Sequence, residues 1–172
     1  MLNPESRILH PESGFTLVEL LVVLVIIGIT LGMTLVQLMP DKRAVLRQEA
    51  ERMALLLENA GLEAQASGQS LAWSGEQSHY RFWKKNDYND WMRIEDNTLF
   101  KQRELPDGIH INQTTVEEQV INPGDKLSFS TNGYTRPFHI SMGNQYGNAS
   151  VVGKSTGEVT ASLDTQITET RP

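Results

Sequence analysis

The sequence predicts an α+β protein. A long N-terminal α-helix, its first half apolar and its second half amphipathic, packs on a C-terminal β-sandwich-like domain of antiparallel strands. Three observations carry this. From Phe15 to Val36 the only charged side chain is Glu19. Leu46, Ala50, Met53, Leu57, Ala60 and Ala64 then recur at three- and four-residue spacing, the period of a helix with one buried stripe. After Gly68 the pattern changes to short alternating runs separated by turn residues, which is a strand signature.

The apolar run is the most constrained stretch. As a helix it is about 33 Å long, enough to cross a hydrocarbon core. A carboxylate inside such a run costs about 3 kcal/mol near the helix centre and less near an end, so Glu19 calls for a cationic partner. A secretory signal would place its cleavage site after the apolar core. Here a polar segment, residues 1–14, comes first and ends in Gly14. Cleavage after Gly14 would make the amine of Phe15 a cation one helical turn from Glu19. The alternative is an ordinary anchor with a chance Gly-Phe and a tolerated carboxylate. The leader carries Arg7 against Glu5 and Glu12, whereas Lys42, Arg43 and Arg47 follow the run. Charge distribution therefore does not select the orientation by itself, and a different start codon would alter the leader.

Pro40-Asp41 interrupts the helical pattern, which resumes over residues 42–66 and stops at Ser67-Gly68. Ala54, Ala60, Gly61 and Ala64 would let a sheet approach closely. Strands are expected at residues 70–73, 79–83 (with Tyr80 and Phe82 on one face), 91–94, 98–101 and 109–112. Residues 117–125 read as one exposed loop. Residues 127–129 and 137–142 read as a hairpin with Asn132-Gly133 at its tip. Residues 149–152 and 158–163 form a second hairpin, and the tail from Asp164 reads as frayed. The expected divisions are 1–14 leader, 15–39 membrane half of the helix, 40–67 amphipathic half and 68–172 β-domain.

Net charge is −6 over 172 residues, which speaks against a nucleic-acid surface. The chain has no cysteine, which excludes disulfides and thiolate chemistry. His79, His110 and His139 lie in separate strand candidates without ligand spacing. The segment from Asp87 to Asp96 is rich in acids and asparagines but lacks calcium-loop spacing, and a solvated loop is the simpler reading. Trp83 and Trp91, near Tyr80, Phe82 and Tyr88, suit packing or a partner surface. The sequence offers no catalytic dyad, metal site or cofactor motif.

Gly14 followed by Phe15-Thr16-Leu17-Val18-Glu19 and the apolar helix resembles the class III prepilin signal of type IV pilins and type II secretion pseudopilins. The β-domain landmarks resemble the GspH/FimT family: Glu63-Ala64, Tyr80-Arg81-Phe82, the Trp91 region, Leu105-Pro106-Asp107-Gly108-Ile109, Phe129-Ser130-Thr131-Asn132-Gly133 and Pro137-Phe138-His139-Ile140. The resemblance implies a minor pseudopilin, a structural subunit of the periplasmic filament of type II secretion and not an enzyme. It implies cleavage between Gly14 and Phe15 by a prepilin peptidase, N-methylation of Phe15, and assembly through Glu19. The implied location is the bacterial inner membrane, with a single pass and the C-terminal domain in the periplasm. The implied partners are the major pseudopilin, other minor pseudopilins and the inner-membrane assembly platform. A minor pilin of a type IV pilus (FimT/FimU-like) is the second reading. A membrane-anchored periplasmic binding domain or enzyme is the third.

Overall fold

The computed structural model describes residues 16–37, 41–95 and 97–164. It divides into two compact units, Met1–Pro40 and Asp41–Pro172. In the first, α1 spans Leu17–Gln37, and its side chains are described as far as Thr30, every one of them exposed.

In the second unit, α2 spans Lys42–Ser67. The helix starts afresh because Asp41 has an extended backbone and its carboxylate accepts from the Arg43 amide at 2.9 Å, an N-cap. It stops at Gly68, whose φ of 67° is left-handed, the conformation glycine adopts without strain. All six residues of the expected stripe are buried, together with Ala54, Leu56 and Gly61.

Ten strands follow: β1 (Leu71–Glu76), β2 (His79–Lys85), β3 (Trp91–Arg93), β4 (Arg103–Glu104), β5 (His110–Val116), β6 (Gln119–Ile121), β7 (Leu127–Phe129), β8 (Phe138–Asn144), β9 (Gly147–Gly153) and β10 (Val159–Leu163). They form two antiparallel five-stranded sheets. One has the order β3-β2-β1-β7, with β4 also on β2, and the other the order β10-β9-β8-β5-β6. Helix α2 packs on strands of both, and one continuous apolar core fills the space between. Tyr80 and Phe82 are fully buried on the same face of β2, as alternation requires.

Four local expectations are corrected. Residues 98–101 form a turn that buries Phe100 rather than a strand, and the two-residue β4 follows. The expected loop 117–125 is in part strand: residues 119–121 form β6, joined to β5 by a tight turn, while Asn122-Pro123-Gly124-Asp125 is the expected turn, the Asp125 amide donating to the Asn122 carbonyl at 3.0 Å. Val116 pairs with Gln119, and Glu117 and Glu118 both take positive φ, 50° and 67°. Asn or Gly normally fills such positions, so Glu-Glu gave no turn signal. Residues 127–142 are not a hairpin. Phe129 makes a lone bridge to Thr135, while β7 pairs with β1 and β8 with β5 and β9, so the chain crosses between sheets there. The β1 strand runs three residues beyond the expected end at Trp73. The β9–β10 hairpin is as expected, closed by a Lys154–Glu158 ion pair at 2.9 Å.

One buried acid escaped the sequence reading. Glu49 is 3% exposed. It sits on the stripe with Leu46 and Met53, pairs with Arg52 at 2.9 Å and accepts from the Tyr80 hydroxyl at 3.4 Å. Burial, then the neighbouring Glu49 charge, raises the Tyr80 pKa. The folded state therefore keeps the phenolic proton where the unfolded chain loses it. The resulting stability is complete below about pH 10 and declines as pH rises past it. Residues 41–172 produced alone are expected to fold with helix and sheet signals in circular dichroism. In denaturant titrations, Tyr80→Phe is expected to cost about 1 kcal/mol at pH 8 and to flatten the decline that sets in above about pH 10. An unchanged decline assigns the alkaline sensitivity elsewhere.

Candidate processing and assembly site

The candidate site is the start of α1. Gly14 and Phe15 lie outside the described residues. What is described begins at Thr16, whose hydroxyl accepts from the Glu19 amide at 3.2 Å and whose carbonyl accepts from Leu20. Thr16 is thus the N-cap, and Thr16-Leu17-Val18-Glu19 has the spacing of a capping box. The sequence reading missed this role, although the Thr-x-x-Glu signal was present. Glu19 lies in the first turn, where the unpaired amides of the helix end attract a carboxylate by about 0.3–1 kcal/mol. That softens the penalty of a charge within an apolar run without removing it.

Beyond Glu19 the helix is apolar on all sides. Residues 16–30 are exposed without a break, Leu17 to 81% and Val18 to 68%. A polar side chain within the run satisfies itself, since the Thr30 hydroxyl donates to the Ile26 carbonyl. Such a surface exceeds what a soluble monomer presents to water and requires lipid or other apolar helices around it. Among the described residues no helix is both long and apolar enough to cross a membrane. The described side chains of α1 end at Thr30, and the expected span continues to Val36.

The other candidates fall apart in space. His79 pairs with Glu76 at 3.4 Å and contacts Arg81, His139 bonds Ser150 at 3.1 Å, and His110 is exposed. Among the described residues no group of three or more His, Asp or Glu could hold a metal. In the acidic segment the asparagine oxygens are taken up by its own turn. Asn86 accepts from the amides of Tyr88 and Asp90, and Lys85 donates to Asn89; Asp96 lies outside the described residues. A cleft of about 750 Å³ opens by the end of β1. Its one carboxylate, Glu76, is held by Arg81 at 3.2 Å and by His79, and amide side chains such as Asn112 and Asn122 line the rest. That lining contains no nucleophile–base pair.

Removing the cap isolates its contribution. Thr16→Val is expected to cost about 1 kcal/mol locally, read as several-fold faster amide exchange at Glu19 and Leu20 in detergent micelles. Glu19→Gln, which keeps the backbone bond, should leave the Glu19 amide protected. Equal exchange in both variants would remove Thr16 from the capping role.

Residues 9–35 match the prokaryotic N-terminal methylation motif. No curated protein matches the chain. Two solved structures of the minor pseudopilin EpsH from the type II secretion system of Vibrio cholerae are similar. One has 16% identity and a TM-score of 0.57 over 69% of this chain and 96% of that one. The other has 16% identity and a TM-score of 0.58 over 70% and 93%. The solution structure of E. coli GspH is similar at 20% identity, with a TM-score of 0.53 over 78% and 100%. The chain thus carries an N-terminal methylation motif at the head of α1, and its fold is that of these minor pseudopilins.

Proposed function

We propose that the protein is a minor pseudopilin, a structural subunit of a periplasmic filament that helps move folded proteins across an outer membrane by type II secretion. The observation that carries this reading is the capped, all-round apolar helix with a single first-turn carboxylate, joined to a GspH-like domain. In this reading a prepilin peptidase removes residues 1–14 and Phe15 is N-methylated, which keeps its amine cationic. Residues 15–39 sit in the inner membrane and later in the filament core. Residues 40–67 form the periplasmic half of the helical segment, and residues 68–172 form the β-domain. The major pseudopilin, other minor pseudopilins and the assembly platform are its partners.

Cleavage is the first test. N-terminal sequencing of the membrane-extracted protein is expected to begin at Phe15, and Gly14→Leu should leave only the uncut form when the peptidase is present. A mature chain that starts elsewhere overturns the reading.

Glu19 is the second. In a filament it would face the cationic N-terminus of a neighbour. At an effective dielectric near 20, two such charges about 4 Å apart attract by about 4 kcal/mol, close to the cost of holding a carboxylate in the membrane. Net stability changes little, but register is fixed: docking one turn away would leave both charges unpaired, at about 3–5 kcal/mol. Glu19→Ala is therefore expected to leave cleavage and membrane insertion intact while reducing crosslinking to the major filament subunit at least tenfold. Normal crosslinking and export would make Glu19 a tolerated residue; loss of cleavage would move its role to peptidase recognition.

A further inference from the structure

The two sheets divide charge unequally. In a chain of which 21% is charged, the strands of the second sheet, β5, β6, β8, β9 and β10, contain no Lys, Arg, Asp or Glu. The surface of a soluble domain ordinarily carries about 25–35% charged residues. The inner side of this sheet is core, with Ile111, Ile140, Met142, Ala149 and Val151 buried. Alternation and register turn Gln113, Ser141, Gly143 and Asn148 to the outer side. That side is therefore hydroxyl and amide rather than ionic. An acid meets it where Asp164, just past β10, accepts from the Ser150 hydroxyl at 2.9 Å.

A pocket of about 490 Å³ lies at the β8–β9 turn and shares His110 and Asn112 with the larger cleft beside β1. Its charged lining is one residue of each sign, Lys42 and Asp107. The turn is held in place: the Asn144 side chain donates to the Lys42 carbonyl at 3.0 Å and accepts from the Tyr146 amide at 2.8 Å. Tyr146 itself is half-exposed. Gly143 makes room for two amides. A Cβ there would collide with Asn148 Oδ1 and stand 3.1 Å from Asn112 Nδ2. Asn112 is free to reach this point because a register shift at 111–113 takes it out of strand pairing. Neither side-chain amide has a hydrogen-bond partner among the described residues.

An acceptor and a donor thus converge over one backbone position, on a sheet whose strands carry no charge. Adjacent hydroxyls of a sugar ring match such a pair, one donating to Asn148 Oδ1 and the other accepting from Asn112 Nδ2. A trans peptide unit, whose N–H and C=O point in opposite directions, does not meet both from one side. Protein interfaces are also poor in Ser and rich in aromatics, Met and Arg, the reverse of the outer side of this sheet. We propose that the pocket binds a neutral glycan through a vicinal diol: the diol on Asn112 and Asn148, the apolar face of the sugar ring against Tyr146, and the chain leading past His110 into the cleft beside Gln113. The inference goes beyond the assembly reading and rests on the β-domain alone.

The test uses the full-length protein in a zwitterionic phosphocholine detergent, because sugar detergents would compete. Cellotetraose, with a vicinal diol on every ring, is expected to shift the side-chain amide resonances of Asn112 and Asn148 with a Kd of about 1 mM. Chitotetraose, whose inner rings carry an acetamido group in place of one of those hydroxyls, should bind at least about fivefold more weakly. Asn112→Ala and Asn148→Ala, each followed at the remaining amide, should weaken cellotetraose binding about three- to fivefold, and Gly143→Ala, which displaces both amides, about tenfold or more. Unchanged resonances elsewhere show that each variant is folded. Absence of shifts at about ten times the expected Kd, or wild-type affinity in both asparagine variants, overturns the proposal and leaves the assembly reading standing. Equal binding of chitotetraose overturns the diol contact and with it the proposal. Shifts of the same amides by the purified major filament subunit, with none by the sugar, assign the face to a protein and also overturn it. Cellotetraose binding by a chain that is never cut after Gly14 in the presence of the peptidase supports the pocket while removing the pseudopilin reading.

Discussion

The domain depends on how closely α2 can approach two sheets at once. Ala50, Ala54, Ala60, Gly61 and Ala64 carry almost no side-chain bulk, and all are buried. Larger residues at these positions would hold the backbone away from the strands. The core would then need bigger side chains to fill the gap than the sheets supply. Close packing makes such exchanges costly. The aromatic residues stand on the sheet side instead, while α2 itself contributes Leu46, Met53 and Leu57 to the core. Trp73, Tyr80, Phe82 and Phe129 are fully buried, with Phe82 5.1 Å from Phe100 and Phe129 6.4 Å from Phe138 between ring centroids. Small residues on the helix and aromatics on the strands are two halves of one arrangement.

Within that seam Glu49 sets position rather than adding stability. A buried carboxylate pays for its desolvation with its bonds to Arg52 and Tyr80, leaving little net gain. Apolar contacts alone would tolerate rotation of α2 by a few degrees. A carboxylate that must meet one phenol does not.

Legibility from sequence followed the range of the interactions. The α2 stripe and its glycine stop were readable because helix period and capping act within a few residues. Glu49 was not, since an acid in a helix reads as solvent-facing until its distant partner on β2 is known. The Glu117-Glu118 turn hid because its residues lack turn chemistry, while the Asn-Gly at 132–133 suggested a hairpin where the chain instead changes sheets. At the candidate site, the order leader, glycine, apolar run was plain. The Thr16 cap was equally local, but its Thr-x-x-Glu pattern lies inside an apolar run whose signal masks where the helix begins. Trp83 and Trp91 could be grouped from sequence because they are near neighbours in the chain, but Lys126, whose Nζ stands 4.3 Å from the Trp83 ring centroid, could not, because it comes from a distant segment that only the pairing of β7 with β1 brings alongside.

The capped start of α2 also has a mechanical meaning. The first unit is joined covalently to the second through Asp41, so tension along the backbone enters the β-domain at the head of this helix. A pull along the α2 axis loads the contacts of Leu46, Met53, Leu57 and their neighbours in parallel, as shear, instead of peeling them one by one. Strand edges such as β6 and β10 would open in sequence under the same force. The chain thus presents its longest buried helix face at the point where any force carried by α1 arrives.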